Sequence, residues 1–191
     1  VLIPTYPLSR VLSVPRILLF LAVMAVVATS AAAQSDCRIQ PASALRDLLS
    51  SVNAERAAAG RHALVLSSQL NRAAQGHACD MVRRDYFSHR SPNNGTLTTR
   101  IKAAGYTACY ANENIAFGQP TRDRVIVAWM RSSGHRRNIL DKRITEVGFG
   151  YSGSGGARKW VMVGARPCDA RIPRQPAPNE QTPNNNQYQN N

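Results

Sequence analysis

An α+β fold is what this sequence predicts. Three observations carry it: two long amphipathic segments in the first half, an alternating β-branched hairpin near the end, and one short apolar strand-like segment between them. Ser43 to Ala59 places Leu45, Leu48, Leu49 and Val52 at helical spacing, with Ser43 as the N-cap candidate and Gly60 at its end. Ser67 to Arg84 repeats the pattern through Leu70, Ala73, Ala74, Ala78, Met81 and Val82, capped by Ser67 or Ser68. It delivers the chain into Tyr86-Phe87-Ser88-His89, so His89 stands just past a helix at the mouth of a loop. Pro92-Asn93-Asn94-Gly95 is a turn, and Leu97 to Ala104 reads as a short helix stopped by Gly105. Glu113 to Phe117, apolar around one carboxylate, predicts a strand entering the core. Arg122 to Met130, capped by Thr121, sets Val125, Ile126 and Trp129 on one helical face; Ser132-Ser133-Gly134 then breaks it and presents His135. Val147 to Tyr151 and Trp160 to Ala165 alternate as strands, and Gly153-Ser154-Gly155-Gly156 supplies the turn between them.

The two ends read differently from this middle. Arg10 and Arg16 precede an apolar run from Ile17 to Ala28 and small residues up to Ala33, the pattern of a secretory signal peptide over residues 1–33. The run is shorter than the ~20 residues that span a bilayer, so no transmembrane span is expected after cleavage and the mature chain is expected to be secreted or periplasmic. Residues 34–42 form an N-terminal segment, and 169–191 a tail rich in Pro, Asn and Gln that lacks the apolar residues to fold. The chain carries 24 basic and 11 acidic residues, and loss of Arg10 and Arg16 leaves 22 against 11, a mature charge of +11. For an exported protein such charge points to an anionic envelope component or lipid as partner and not to nucleic acid. The basic residues concentrate only from Arg131 to Arg143. Phosphate-binding glycine loops, EF-hand loops, Gly-x-Ser-x-Gly and His-Glu-x-x-His are absent, and Ser132 or Ser133 beside His135 lacks an orienting acid and an oxyanion hole.

Six segments in order give the sequence a more specific character: Val52-Asn53-Ala54-Glu55-Arg56, Ser-His-Arg-Ser-Pro ending at Pro92, Arg100 to Tyr106, Glu-Asn-Ile-Ala from Glu113, Gly-His-Arg-Arg-Asn-Ile-Leu ending at Leu140, and Val-Gly-Phe-Gly-Tyr ending at Tyr151. Together they resemble the CAP superfamily, also called the SCP or cysteine-rich secretory protein, antigen 5 and pathogenesis-related 1 domain, in its short bacterial form. The resemblance implies a domain over 43–168 folded as a three-layer α-β-α sandwich with a small, mostly antiparallel central sheet. It also implies a cleft of two histidines and two acids. Carried onto this chain, the first histidine falls on His89, the glutamate on Glu113 and the second histidine on His135, whereas the second acid falls on Ser132. Asn112 stands where a glycine usually precedes the glutamate.

Two imidazoles and a carboxylate suit a divalent metal such as zinc or a proton relay. With serine as the fourth member, no cofactor is required and zinc becomes an optional, low-affinity ligand of His89, His135 and Glu113. The reading therefore leans from catalysis toward a binding module for an envelope or extracellular ligand: a lipid, a sterol-like molecule, a glycan or an anionic polymer. A metal-dependent peptidase or esterase built on His89, Glu113 and His135 is the alternative, and a toxin-like interaction domain with a vestigial cleft is the third. Outside this set, His77 reads as a helix-surface or helix-packing residue, His62 as a loop residue and Glu146 as a strand-end or surface carboxylate. Four cysteines without a Cys-x-x-Cys suggest disulfides, with three pairings open. Cys37 with Cys168 is favoured because the two flank the family-like region, which leaves Cys79 with Cys109.

Overall fold

The computed structural model describes Cys37 and residues 39–169. The expected signal peptide and nearly all of the expected tail lie outside the described residues. Within them five α-helices and four strands form in chain order: α1 (Ala42–Ala58), β1 (Val65–Leu66), α2 (Ser68–Arg83), α3 (Leu97–Ala103), β2 (Ala108–Phe117), α4 (Arg122–Arg131), α5 (Ser133–Ile139), β3 (Glu146–Ser152) and β4 (Lys159–Pro167). The sheet runs β1-β3-β4-β2, with β1 parallel to β3 and the other two pairings antiparallel.

Helices cover both faces, as the α-β-α sandwich requires. On one face Leu45, Leu48 and Val52 of α1, Val125, Ile126 and Trp129 of α4 and Ile139 of α5 pack on Ala116, Val147, Phe149, Trp160 and Met162. On the other, Leu70, Ala74, Ala78 and Met81 of α2 and Ile101 of α3 pack on Ile115, Val161, Val163 and Ala165. The period-2 alternation of the strands sorts these side chains between the layers.

The helix on the second face lies unusually close. A Cβ at Gly148 would stand 2.1 Å from the Leu70 carbonyl carbon, and one at Gly150 2.3 Å from the Gln75 nitrogen, so only glycine lets α2 rest directly on β3. The contact also closes an edge. Because β1 is only two residues long, β3 beyond it would present bare backbone. Asn71 Oδ1 accepts the Phe149 N–H, Gln75 Oε1 accepts the Tyr151 N–H, and Gln75 Nε2 donates to the Tyr151 carbonyl.

Local signals work with small shifts. Ser67 caps α2 by accepting the Leu70 N–H, Thr96 caps α3 in a reciprocal box with Thr99, and Thr121 caps α4. Ser43 does not cap α1, which starts one residue earlier with Pro41 at the cap position. At its other end the Gly60 and Arg61 N–H groups bond back to Ala57 and Arg56, with Gly60 at φ +65°.

The favoured cysteine pairing is overturned. Cys109 is bonded to Cys168, because β2 begins where β4 ends: Ala108 faces Pro167, and Cys109 sits in the irregularity between Ala108 and Tyr110. The flanking cysteines do not meet because the N-terminal segment is drawn to α2, where Gln40 donates to Gln75 Oε1 and to the Tyr151 carbonyl. Cys37 thereby reaches Cys79, one helical turn beyond Gln75. Burial, followed by a hydrogen bond with Cys37, pushes the Cys79 thiol up to about 11.

Candidate functional site

Glu113 is the centre of a small buried network. It points from β2 into the layer of α2 and α3, opposite Val163 in the ladder, with its side chain only 3% exposed. His89 Nδ1 lies 2.8 Å from Oε1, and Arg100 Nη2 donates to Oε2 at 2.8 Å. Arg100 also donates to the His89 carbonyl, so one guanidinium holds both the carboxylate and the loop that carries its imidazole partner. Burial alone would raise the Glu113 carboxyl, but the His89 bond and the charge and hydrogen bond of Arg100 hold it below the ordinary carboxylate range, with His77 adding to this only in acid, where it is protonated. It is ionised at neutral pH.

A third imidazole lies beneath. His77 of α2 is fully buried, with Nε2 3.9 Å from Glu113 Oε1. Burial drives it down to about 4, against the pull of Glu113 and with a further push from Arg100. At neutral pH it is uncharged, so this contact is not an ion pair. His77 and Arg100 also line a groove of about 580 Å³ between α2 and α3.

His135 arrives from the opposite layer. The Ser132-Ser133-Gly134 segment does not leave a loop, as expected from the sequence, but restarts the chain as α5. Three asparagines dock that helix on the edge of β2: Asn138 Nδ2 donates to the Glu113 carbonyl and to Asn114 Oδ1, Asn114 Nδ2 donates to the His135 carbonyl, and Asn112 Nδ2 donates to the Asn138 carbonyl. Asn112 is thus a docking residue in its own right. Burial, and then the neighbouring charge of His89, lower the His135 pKa. Ser132 is the hinge of the two helices, bonding its N–H to the Trp129 carbonyl and accepting the Arg136 N–H; its side chain makes no capping bond.

The structure therefore joins His89 directly to Glu113, brings His135 within electrostatic reach of His89 through α5, and puts Ser132 at the joint ahead of His135. Among the described residues no group of three His, Cys, Asp or Glu side chains is placed to hold a metal ion. Both Glu113 oxygens are already engaged, by an imidazole and a guanidinium. As arranged, the donor set does not fit zinc. His77 and Arg100 are the participants the sequence reading left outside the site. Helical spacing could have found His77, which lies four residues after Ala73 and four before Met81 on the buried face of α2.

Beside His89 the surface is aromatic. Phe87 and Phe117 are 47% and 50% exposed, yet their rings lie 5.9 Å apart. Phe117 shares the β2 face of Glu113 and Ile115.

The model of the Cysteine-rich secretory protein family, CAP, matches residues 49–164. The uncharacterized protein YkwD of Bacillus subtilis is 39% identical over 112 residues, covering 59% of this chain and 44% of that protein. The uncharacterized membrane protein YlbC of the same organism is 35% identical over 77 residues, 40% of this chain and 22% of that protein. The chain thus spans less than half the length of either relative. Among solved structures, an extracellular protein containing an SCP domain from Bacillus anthracis superposes with a TM-score of 0.60 at 28% identity, over 65% of this chain and 40% of that one. An outer surface protein of Borrelia burgdorferi reaches 0.59 at 18% identity, over 64% of this chain and 91% of that one, a likeness of fold alone.

Proposed function

We propose that this chain, which belongs to the CAP family, acts outside the cytoplasm as a binding module whose cleft takes a glycan, lipid or sterol-like ligand. The observation that carries this reading is the state of Glu113: both carboxylate oxygens are satisfied, by His89 and by Arg100, and its pKa is held low. A carboxylate so engaged is a poor general base, since proton abstraction needs a free oxygen and a pKa near the working pH. The same network is well suited to fixing the exposed edge of His89, which offers a hydrogen bond next to the Phe87–Phe117 pair. A sugar ring or a hydroxyl-bearing lipid presents hydroxyls beside an apolar C–H face, which a hydrogen-bonding imidazole next to aromatic rings complements. The solved Bacillus anthracis relative is described as extracellular, which supports the same compartment.

The test is co-sedimentation with purified cell-wall sacculi and with neutral phosphatidylcholine vesicles, with and without sterol. Retention on one of them, lost in His89→Ala and in Phe87→Ala/Phe117→Ala, is the expected result. Retention on none of them overturns the reading, as does hydrolysis of a peptide or ester by the zinc-treated protein that His135→Ala abolishes. The second outcome would install the metal-dependent hydrolase in its place. Retention that survives His89→Ala with Glu113→Ala would mark the cleft as vestigial.

A further inference from the structure

A second concave site lies on the other side of β2. Tyr110 belongs to the face that packs with α1, α4 and α5, whereas Glu113 belongs to the α2 and α3 face. Around Tyr110 opens a pocket of about 780 Å³ whose walls carry Arg61, Arg131, Arg136, Arg137, Lys142 and Arg143 against one acid, Asp141. That acid is consumed locally. Arg143 bonds both of its oxygens, Tyr110 donates to it at 2.8 Å, and these bonds outweigh burial to hold it at about 2. None of the other five cations has a carboxylate partner among the described residues.

The backbone beneath the cations is held in place. Arg61 comes from one stretch of chain and Arg131 to Arg143 from another, and a buried guanidinium ties the two together: Arg56 donates to the carbonyls of His62, Ile139 and Asp141. Arg61 itself donates to the Leu140 carbonyl. Like charges gathered this way repel one another and attract anions, most strongly an anion that reaches several of them at once. A single phosphate engages two or three guanidinium groups, so six cations around one cavity call for a ligand with repeated charges.

Two features narrow its class. Tyr110 is the one aromatic residue of the wall among the described residues, and the Arg143 guanidinium already covers its ring at 3.9 Å, leaving no free platform for base stacking. The exposed large hydrophobics Ile39, Val65, Phe87, Phe117 and Val127 all lie outside the pocket, and Met130 and Leu140 in its wall are half-buried against the core, so it has no exposed apolar anchor for a bilayer. We infer that this pocket binds a linear phosphodiester polymer that lacks nucleobases, independently of the cleft at Glu113.

Fluorescence anisotropy with a labelled oligo(glycerol phosphate) tests this on the intact protein. Binding is expected at low salt, weakening with added salt on a log–log slope of about −2 or steeper. Arg136→Glu/Arg137→Glu is expected to lower affinity about tenfold or more, while the equal charge change Arg46→Glu/Arg124→Glu alters it by no more than about twofold. Arg131→Glu/Lys142→Glu serves as the second probe of the same pocket, with melting curves confirming that each variant folds. His89→Ala is expected to bind like the parent, which separates this site from the cleft. The inference is overturned by no binding at low salt, by equal losses in pocket and control variants, by orthophosphate binding as tightly per phosphate, or by single-stranded DNA or anionic vesicles binding more tightly at matched charge.

Discussion

On the α2 side of β2, Glu113 is 3% exposed and meets Arg100, His89 and a neutral His77; on the α1 side, Tyr110 sits among six cations with one carboxylate between them. Two residues of strand, Ala111 and Asn112, separate Tyr110 from Glu113, and the difference is solvent. A buried charge costs several kcal/mol unless it is matched, so the Glu113 face is closely compensated and removal of either partner is costly. Exposed cations stay hydrated, so the Tyr110 face tolerates an excess that does little for folding and much for attracting anions.

Disrupting the compensated face should cost most. Gly150→Ala sets a Cβ into the backbone of α2 and lifts the helix that carries His77; urea unfolding should show a loss of about 3 kcal/mol or more. Glu113→Gln leaves Arg100 without its anion, and the same measurement should fall by about 2 kcal/mol. A loss near zero there would mean that water already serves Arg100.

Acid should act on the same face. His77 has its folded pKa lowered from 6.5 to about 4, so the unfolded chain binds the proton more readily. Its contribution is complete above pH 6.5 and is lost as pH falls toward 4, with Glu113 adding to the loss further down. Melting temperature should drop across that window, and His77→Asn should flatten the upper part of the slope.

Zinc should leave the melting temperature unchanged, since Glu113 is already engaged; a rise abolished by His135→Ala would show that the metal can displace Arg100. Smallest of all, Arg136→Glu should raise the melting temperature slightly at low salt, and the gain should vanish as salt screens the repulsion. A marked destabilisation would erase the contrast between the two faces.

Much of this was legible because apolar periodicity and caps act locally. α2 with Ser67, α3 ahead of Gly105, and the β3–β4 hairpin all follow from signals within a few residues. β2 is longer than the Glu113–Phe117 segment because Ala108 to Asn112 carries polar residues whose partners lie far away in β4 and α5. β1 is only two residues and depends on β3 for its existence. α5 was hidden by Ser133-Gly134, which read as breakers, yet Asn114 and Asn138 dock the helix from outside. His89 and Glu113 could be placed from family-like motifs. Arg100 and His77 could not, because their roles depend on how α2 and α3 cross the sheet. The cysteine pairing failed for the same reason: it is decided by the β2–β4 register, which no local spacing reveals.

That register has a mechanical side. The Cys109–Cys168 bond closes a covalent loop over β2, α4, α5, β3 and β4. Tension applied between the N-terminal half and any segment beyond Cys168 would cross from one sulfur to the other and bypass everything between. Glu113, His135 and most of the cationic pocket would carry none of that load, while His77, His89 and Arg100 lie on the strained path. Pulling would therefore strip Glu113 of His77, His89 and Arg100 and the pocket of Arg56 and Arg61, while Arg131 to Arg143 stayed together on the unloaded loop.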